Sequence, residues 1–255
     1  MRGPLGRSSG PMRIFLDTNA LIHFVSNDKI ALLSNYESFT FEKCIYEFGL
    51  GFKSKLLDRE FIIHALEDSE QHTSDTFEHR LVTGVIHDVK RELALTEPEA
   101  GALISSLKRY DLRWEFGTAD EHPLLLETYM QFFGNQSIDG LLLLKRFFEA
   151  SKSRLIEQLQ DLIPKLGVRV ISYKDIFGDP QHLLDFAEVL EKSVIPSKDL
   201  EITFAALSRR CRVLVTDDGK KSRGIFQGLW TLGLEYPIEC VSIDDFISGK
   251  FVSSP

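Results

Sequence analysis

Short apolar runs alternate with amphipathic segments at both ends of this 255-residue chain. Four runs have the length and the β-branched content of buried strands: 12–16, 168–172, 213–215 and 238–242. Four segments carry apolar residues at helical spacing: 39–55, 180–192, 199–209 and 244–247. A further helix should follow the first run, with Thr18 or Asn19 as its N-cap. This alternation predicts an α/β fold with a parallel sheet and right-handed crossovers.

The middle of the chain, 56–165, shows helical spacing and no persistent strand pattern. Helices are predicted at 81–95, from Glu97 through 103–112, at 124–133 and at 138–162. We therefore interpret 12–55 and 166–255 as an α/β core and 56–165 as a helical insertion or cap. Residues 1–11, MRGPLGRSSGP, resemble an expression-tag remnant, so Met12 is the expected native start.

Composition excludes several classes of protein. The chain is 43% hydrophobic and 27% charged, and no apolar run reaches the roughly 18 residues of a membrane helix, so neither a membrane partner nor a signal peptide is expected. Three widely separated cysteines argue against a disulfide scaffold or a cysteine zinc site and favour a reducing cytoplasm. A net charge of -8 means that nucleic-acid binding would need a local basic patch or a bound metal.

Carboxylates follow two of the predicted strands. Asp17 ends the first strand, and Asp217 and Asp218 follow the strand at 213–215. In an open α/β sheet, ligands bind at the carboxyl ends of the strands, and Asp199 near the start of a helix can reach the same crevice. Clustered carboxylates raise one another's pKa unless a cation compensates them, and Mg²⁺ prefers oxygen ligands. The sequence therefore predicts a divalent-metal site at this edge.

These residues occur in motifs that resemble PIN-domain nucleases, a family that includes the VapC-like toxin ribonucleases. Four elements stand in the family's order: FLDTNALI at 15–22, Glu47, DLEITFAA at 199–206 and VTDD at 215–218. The resemblance covers 12–55 and 168–250, and it implies a three-layer α/β/α fold with a central parallel sheet. Small toxins of the family have far less chain between the second and third acids than this protein has.

The resemblance also implies roles for individual residues. The catalytic acids would be Asp17, Glu47, Asp199 and Asp218. Mg²⁺ or Mn²⁺ would bind Asp17, Asp199, Asp217 and Asp218, with Asn19 and Thr216 as supporting hydrogen-bonding residues. The cations that follow the last motif, Lys220, Lys221 and Arg223, could contact substrate phosphates. Each residue also has a purely structural alternative: a helix cap for Asp17 and Asp199, a turn for Asp217, and a solvated surface for Glu47 and the basic run.

We expect a metal-dependent endonuclease that hydrolyses phosphodiester bonds of single-stranded nucleic acid. The leading substrate is single-stranded or structured RNA, and DNA remains open. Two alternatives also remain: a toxin ribonuclease held by an antitoxin or other protein partner, and a non-catalytic PIN-like module that binds RNA or protein. A phosphatase-type α/β enzyme is disfavoured, because position 19 is Asn where that chemistry needs a second Asp. A homodimer is compatible with the sequence, which does not fix the oligomeric state.

Overall fold

The computed structural model describes residues 10–51, 59–67, 76–109, 138–192, 197–217 and 238–250. The chain divides into two compact units, Met1–Phe48 with Gln160–Pro255, and Gly49–Leu159. The helix predicted at 124–133 lies outside the described residues, as does most of the segment at 1–11.

A five-stranded parallel sheet forms the centre of the first unit, which confirms the predicted α/β class. The strands are β1 (Met12–Leu16), β2 (Tyr36–Phe41), β3 (Val168–Ile171), β4 (Val213–Val215) and β5 (Glu239–Val241). Their order is β3-β2-β1-β4-β5, so the chain builds outward from β1 in one direction and then crosses to the other side. The strand order therefore reverses between β1 and β4, which is the topological switch point of the sheet.

The described α-helices are α1 (Thr18–Ser26), α2 (Glu42–Gly51), α3 (Arg59–Glu67), α4 (Phe77–Glu92), α5 (Glu97–Arg109), α6 (Ile138–Lys165), α7 (Tyr173–Phe177), α8 (Pro180–Lys192), α9 (Ser197–Ser208) and α10 (Ile243–Ile247). A 3-10 helix spans Ile30–Asn35. Helices flank the sheet in the first unit, whereas the described part of Gly49–Leu159 is helical. None of the described helices has the length and apolarity that a membrane span requires.

The predicted helix at 39–55 is wrong at its start, because Tyr36–Phe41 is strand β2 and the helix begins at Glu42. Ser38 and Thr40 are buried, so two polar residues occupy inward positions that a strand pattern normally gives to apolar residues. The Thr40 Oγ1 donates a hydrogen bond of 3.0 Å to the Leu16 carbonyl oxygen in β1. β2 pairs with β1 on one side and with β3 on the other, and this pairing outweighs the preference for a helix that the local spacing of apolar residues indicates.

One buried cluster of the first unit packs residues of the sheet against α9. Phe15 of β1 is fully buried in a cluster with residues of the neighbouring strands, of α2 and of α9: Phe39, Phe41, Cys44, Ile171, Leu200, Ala205, Ala206, Cys211 and Leu214. Apolar side chains on β1 and β4 are buried along almost their whole length, as is typical of the centre of a parallel sheet. The core thus fixes the carboxyl ends of β1 and β4 next to each other.

The second unit is built on α3, which contacts both α4 and α5. The buried side of α4 carries Val82, Val85, Ile86 and Val89 at helical spacing. The Lys90 Nζ closes the contact by donating a 3.0 Å hydrogen bond to the Leu66 carbonyl oxygen of α3. The α5 helix begins at Glu97, as its Glu-Pro start predicts.

A capping box at the start of α7 gives a testable pH dependence. Ser172 and Asp175 exchange side-chain-to-amide hydrogen bonds of 3.1 and 2.9 Å. The Ser172 amide and the Ser172 hydroxyl each donate a 2.9 Å hydrogen bond to the Asp175 Oδ2, and these two bonds hold the pKa of Asp175 below its ordinary value. We expect Ser172→Ala to lower the free energy of unfolding by about 1 kcal/mol at pH 7. Because the pKa of Asp175 is lower in the folded protein than in the unfolded chain, its carboxylate stabilises the fold at pH values above the ordinary pKa of Asp. This stabilisation is lost as the pH falls through the pKa of Asp175 in the folded protein.

The measurement is urea denaturation of the Ser172→Ala variant at pH 7 and pH 3. The difference from wild type should be smaller at pH 3, because this pH lies below the ordinary pKa of Asp and part of the stabilisation by the carboxylate is then lost. Ser248→Ala, at the C-cap of α10, is the control and should change stability little. An undiminished difference at pH 3 would contradict the assigned contribution of the Asp175 carboxylate.

Candidate functional site

Asp17 lies at the carboxyl end of β1, beside the switch point, and its side chain is buried with 4% of its surface exposed. The Thr216 Oγ1, directly after β4, donates a 2.6 Å hydrogen bond to the Asp17 Oδ2. The Asp17 amide donates to the Val215 carbonyl oxygen at 3.1 Å. Both strands that flank the switch point therefore hold the Asp17 carboxylate in one place.

The N-cap of α1 is Asp17, so the prediction of Thr18 or Asn19 as the cap is wrong. Asp17 has extended backbone angles, and its Oδ1 accepts a 2.6 Å hydrogen bond from the Thr18 amide. A buried carboxylate needs donors of this kind, and the N-terminus of a helix provides them along with a favourable dipole. The cap and the acid of the site are thus the same side chain.

Thr18 connects Asp17 to the second predicted acid, Glu47. Its amide donates to Asp17, and its Oγ1 donates a 2.5 Å hydrogen bond to the Glu47 Oε2. Glu47 lies on α2, half-buried. The hydrogen bonds therefore run from Thr216 to Asp17 and, through Thr18, to Glu47. The sequence analysis gave Thr18 only a capping role.

Cysteine thiols lie within the electrostatic influence of Asp17. Burial, and then the charge of Asp17, raises the pKa of Cys44 to about 12, and the same two causes raise the pKa of Cys240 to about 12. A thiol with so high a pKa carries almost no thiolate at neutral pH and is a poor nucleophile. The carboxylates, rather than the thiols, are the candidate reactive groups at this edge.

Asp199 lies half-buried in the first turn of α9, which begins at Ser197, before the predicted start. The backbone carbonyl of Asp199 accepts a 3.1 Å hydrogen bond from the Thr203 Oγ1. In the part of the chain that the structure describes, no group of three His, Cys, Asp or Glu side chains could hold a metal ion. Asp218 lies outside the described residues, so the metal set of Asp17, Asp199, Asp217 and Asp218 stays a prediction.

The remaining predicted residues lie around this edge or outside the described chain. Asp217 is exposed, and its Oδ1 accepts a 3.1 Å hydrogen bond from the Ile243 amide, which ties the end of β4 to the start of α10. Asn19 is exposed in the first turn of α1. The basic run lies outside the described residues: Lys220, Lys221 and Arg223.

A second polar group occupies the same edge at the ends of β2 and β3, and the sequence analysis missed it. The Glu201 Oε2 accepts hydrogen bonds from the Lys43 Nζ at 2.9 Å and from the Tyr173 hydroxyl at 3.0 Å. The Tyr173 amide donates to the Glu42 Oε1 at 2.8 Å. The available signal was the position of Glu42 and Tyr173 just past strand ends, but β2 had been interpreted as helix.

The donor chemistry of Asp17 and Glu47 fits a hard divalent cation. Both provide carboxylate oxygens, and Mg²⁺ is often held by only one or two carboxylates with water completing its coordination. Thr18 and Thr216 fix the two side chains, as outer hydrogen-bond partners fix the ligands of a metal site. The sequence motifs would add Asp199, Asp217 and Asp218 to these two acids.

The chain was compared with protein-family models, with curated proteins and with solved structures. None of the three comparisons found a match. The functional conclusion therefore depends on the geometry of this edge and on the sequence motifs.

The hydrogen bond from Thr216 to Asp17 should contribute measurably to stability. We expect Thr216→Val to lower the free energy of unfolding by about 1.5–3 kcal/mol, because a buried charged acceptor loses its donor while the side-chain shape is kept. Thr216→Ser, which keeps the hydroxyl, is the matched control and should lose less than about 1 kcal/mol. Urea denaturation at pH 7 measures both. Equal stability of the Val variant and wild type would contradict the assigned hydrogen bond.

Proposed function

We propose that the chain is a PIN-like, metal-dependent endonuclease that hydrolyses phosphodiester bonds of single-stranded nucleic acid, with RNA as the leading substrate. One observation carries the proposal: the buried Asp17 carboxylate is fixed at the switch point by Thr18 and Thr216, with Glu47 bonded to the same Thr18. The sheet order β3-β2-β1-β4-β5 with flanking helices supports a three-layer α/β/α arrangement. The motif order Asp17, Glu47, Asp199, Thr216-x-Asp218 supports the family.

The side chains of this edge have distinct tasks in the proposed reaction. Asp17 is held by hydrogen bonds to both carboxylate oxygens before substrate arrives, so it needs little reorganisation during the reaction. We assign to Glu47, which accepts a hydrogen bond from Thr18, the task of binding or orienting the attacking water. When bound, Mg²⁺ or Mn²⁺ supplies Lewis-acid activation of water and neutralises charge on the scissile phosphate. Asp199 and Asp218 complete the proposed acid set.

The charge of the protein limits how it can hold a polyanion. A chain with net charge -8 repels nucleic acid at long range, so attraction must be local. Lys43 is paired with Glu201 at 2.9 Å, which offsets its charge. We assign phosphate contact to Lys220, Lys221 and Arg223, which follow the last acidic motif.

The test is cleavage of labelled single-stranded RNA and DNA of the same sequence in Mg²⁺, in Mn²⁺ and in EDTA. We expect RNA to be cut with either metal and to stay intact in EDTA, with DNA cut more slowly or not at all. Equal cutting with and without EDTA would contradict the proposal, as would intact RNA under every metal condition.

The second candidate is a non-catalytic PIN-like module that binds RNA or protein. It is supported by the structural roles of the two described acids, since Asp17 is the N-cap of α1 and Glu47 accepts a hydrogen bond from Thr18. Such a module would bind labelled RNA equally well with EDTA and with Mn²⁺, and it would leave the strand intact. The cleavage assay and a binding assay on the same RNA distinguish the two functions.

A further inference from the structure

Tyr173 is a solvent-exposed aromatic residue at the carboxyl edge of the sheet. It begins α7 directly after β3, and β1, β2 and β3 are parallel neighbours, so Tyr173 lies at the same edge as Asp17. The side chain of Tyr173 is 39% exposed, which makes it one of the exposed large side chains of the described chain. Part of Tyr173 is therefore open to solvent beside the candidate site.

The Tyr173 ring is held at several points despite its exposure. Its hydroxyl donates to Glu201 at 3.0 Å and its amide donates to Glu42 at 2.8 Å. Its ring centroid lies 4.6 Å from that of Phe41, at an interplanar angle of 58°, and 6.0 Å from that of Phe177. A ring ordered before binding loses little conformational entropy when a ligand stacks on it.

The charge state of the Tyr173 phenol is compatible with contact to a nucleobase. Burial, then the hydrogen bond and charge of Glu201, and then the charges of Glu42 and Glu47, raise the pKa of Tyr173 to about 12. The phenol is neutral at physiological pH, as an ordinary tyrosine is, so the ring itself adds no charge that would repel a phosphate. Base stacking on an aromatic ring does not depend on charge and tolerates any base. Base stacking therefore allows an acidic protein to bind a polyanion without long-range electrostatic attraction.

We propose that Tyr173 is the stacking position for one unpaired base of the substrate strand and places a neighbouring phosphodiester at Asp17 and Glu47. The inference rests on the proposed nuclease function and adds how the strand is held. In this proposal the Tyr173 ring selects single strands, because a base in a duplex has both faces covered by the bases stacked above and below it.

The first test compares the steady-state kinetics of Tyr173→Leu and Tyr173→Phe on single-stranded RNA. We expect Tyr173→Leu to raise KM about tenfold or more, with kcat within about threefold of wild type, because the lost contact holds the strand and not the reacting atoms. Tyr173→Phe keeps the ring and loses the bond to Glu201, so its KM should stay within about threefold. Leu184→Ala, at a 64% exposed position of α8, controls for loss of exposed apolar surface. If the Phe and Leu variants lose equal affinity, the ring is not the contact.

The second test moves a single abasic nucleotide along the RNA strand. Wild type should show a raised KM when the abasic nucleotide occupies one position near the cut, and Tyr173→Leu should be insensitive there. Binding of a strand carrying 2-aminopurine at that position, measured in EDTA, should quench its fluorescence in wild type and not in Tyr173→Leu. If wild type cuts the RNA and the abasic nucleotide has no effect at any position, the stacking inference is overturned and the nuclease proposal is not. Absence of both cutting and binding by wild type overturns the nuclease proposal and this inference together.

Discussion

Asp17→Asn should abolish metal-dependent cleavage while leaving the protein folded. Asn is nearly the same size as Asp, and its side chain also caps helices well. Its oxygen can accept from the Thr18 amide, and its amide nitrogen can donate to the Thr216 hydroxyl, so these two hydrogen bonds have a replacement. What the substitution removes is the negative charge.

We expect kcat to fall by at least about 100-fold in Asp17→Asn, since loss of even an outer partner of a metal site costs up to about that factor. The measurement is cleavage of labelled single-stranded RNA in Mn²⁺ at equal protein concentrations, with titration calorimetry of Mn²⁺ binding alongside it. Both signals should be lost together, because one carboxylate serves both.

Asp185→Asn is the matched control for this experiment. Asp185 is an exposed carboxylate of α8 that accepts a 2.9 Å hydrogen bond from Gln181, and it has no part in the proposed site. This variant should cut RNA at the wild-type rate, and both variants should show the circular dichroism of wild type. Wild-type cutting by a folded Asp17→Asn protein would place the reaction at another site or in a contaminating nuclease.

Strands could be predicted where the sequence itself is a run of apolar or β-branched residues. β1 and β4 are nearly continuous apolar runs, and β3 is β-branched, so each was recognised from its composition. β2 was missed because Ser38 and Thr40 are buried in a strand that the sheet itself stabilises. Non-local pairing of that kind leaves no periodic trace in the local sequence.

The site could be predicted in part for a similar reason. Asp17 and Thr216 stand next to strand ends, and parallel strands bring such ends to one edge, so their proximity follows from order along the chain. Thr18 could not be assigned beforehand to its contact with Glu47, because that contact depends on the orientation of α2. Tyr173 follows a predicted strand, but its hydrogen bonds to Glu42 and Glu201 could not be recognised, since they depend on where α2 and α9 lie. Asp218 and the basic run remain predictions.

Phe15→Ala should cause the largest loss of stability, because it empties the centre of the core beneath the site. Phe15 is fully buried on β1, paired with Phe39 of β2 on one side and Leu214 of β4 on the other. Truncation of a buried Phe to Ala costs about 3–5 kcal/mol, from the lost apolar burial and the cavity that is left. The same strand positions Asp17, so cleavage should fail at lower temperatures than in wild type.

Thiol labelling measures this loss in the first unit alone. Cys44 and Cys211 belong to the same core cluster as Phe15, and burial is the main cause that raises the pKa of each to about 12. In the unfolded chain an ordinary pKa of about 8.5 makes both thiols reactive, so at pH 8 labelling reports opening of the core. We expect Phe15→Ala to label between about 100-fold and a few thousand-fold faster than wild type under native conditions. Leu184→Ala should label at nearly the wild-type rate. If Phe15→Ala labelled as slowly as wild type, Phe15 would not lie in the core that covers these two thiols, and the packing that fixes Asp17 beside Thr216 would need revision.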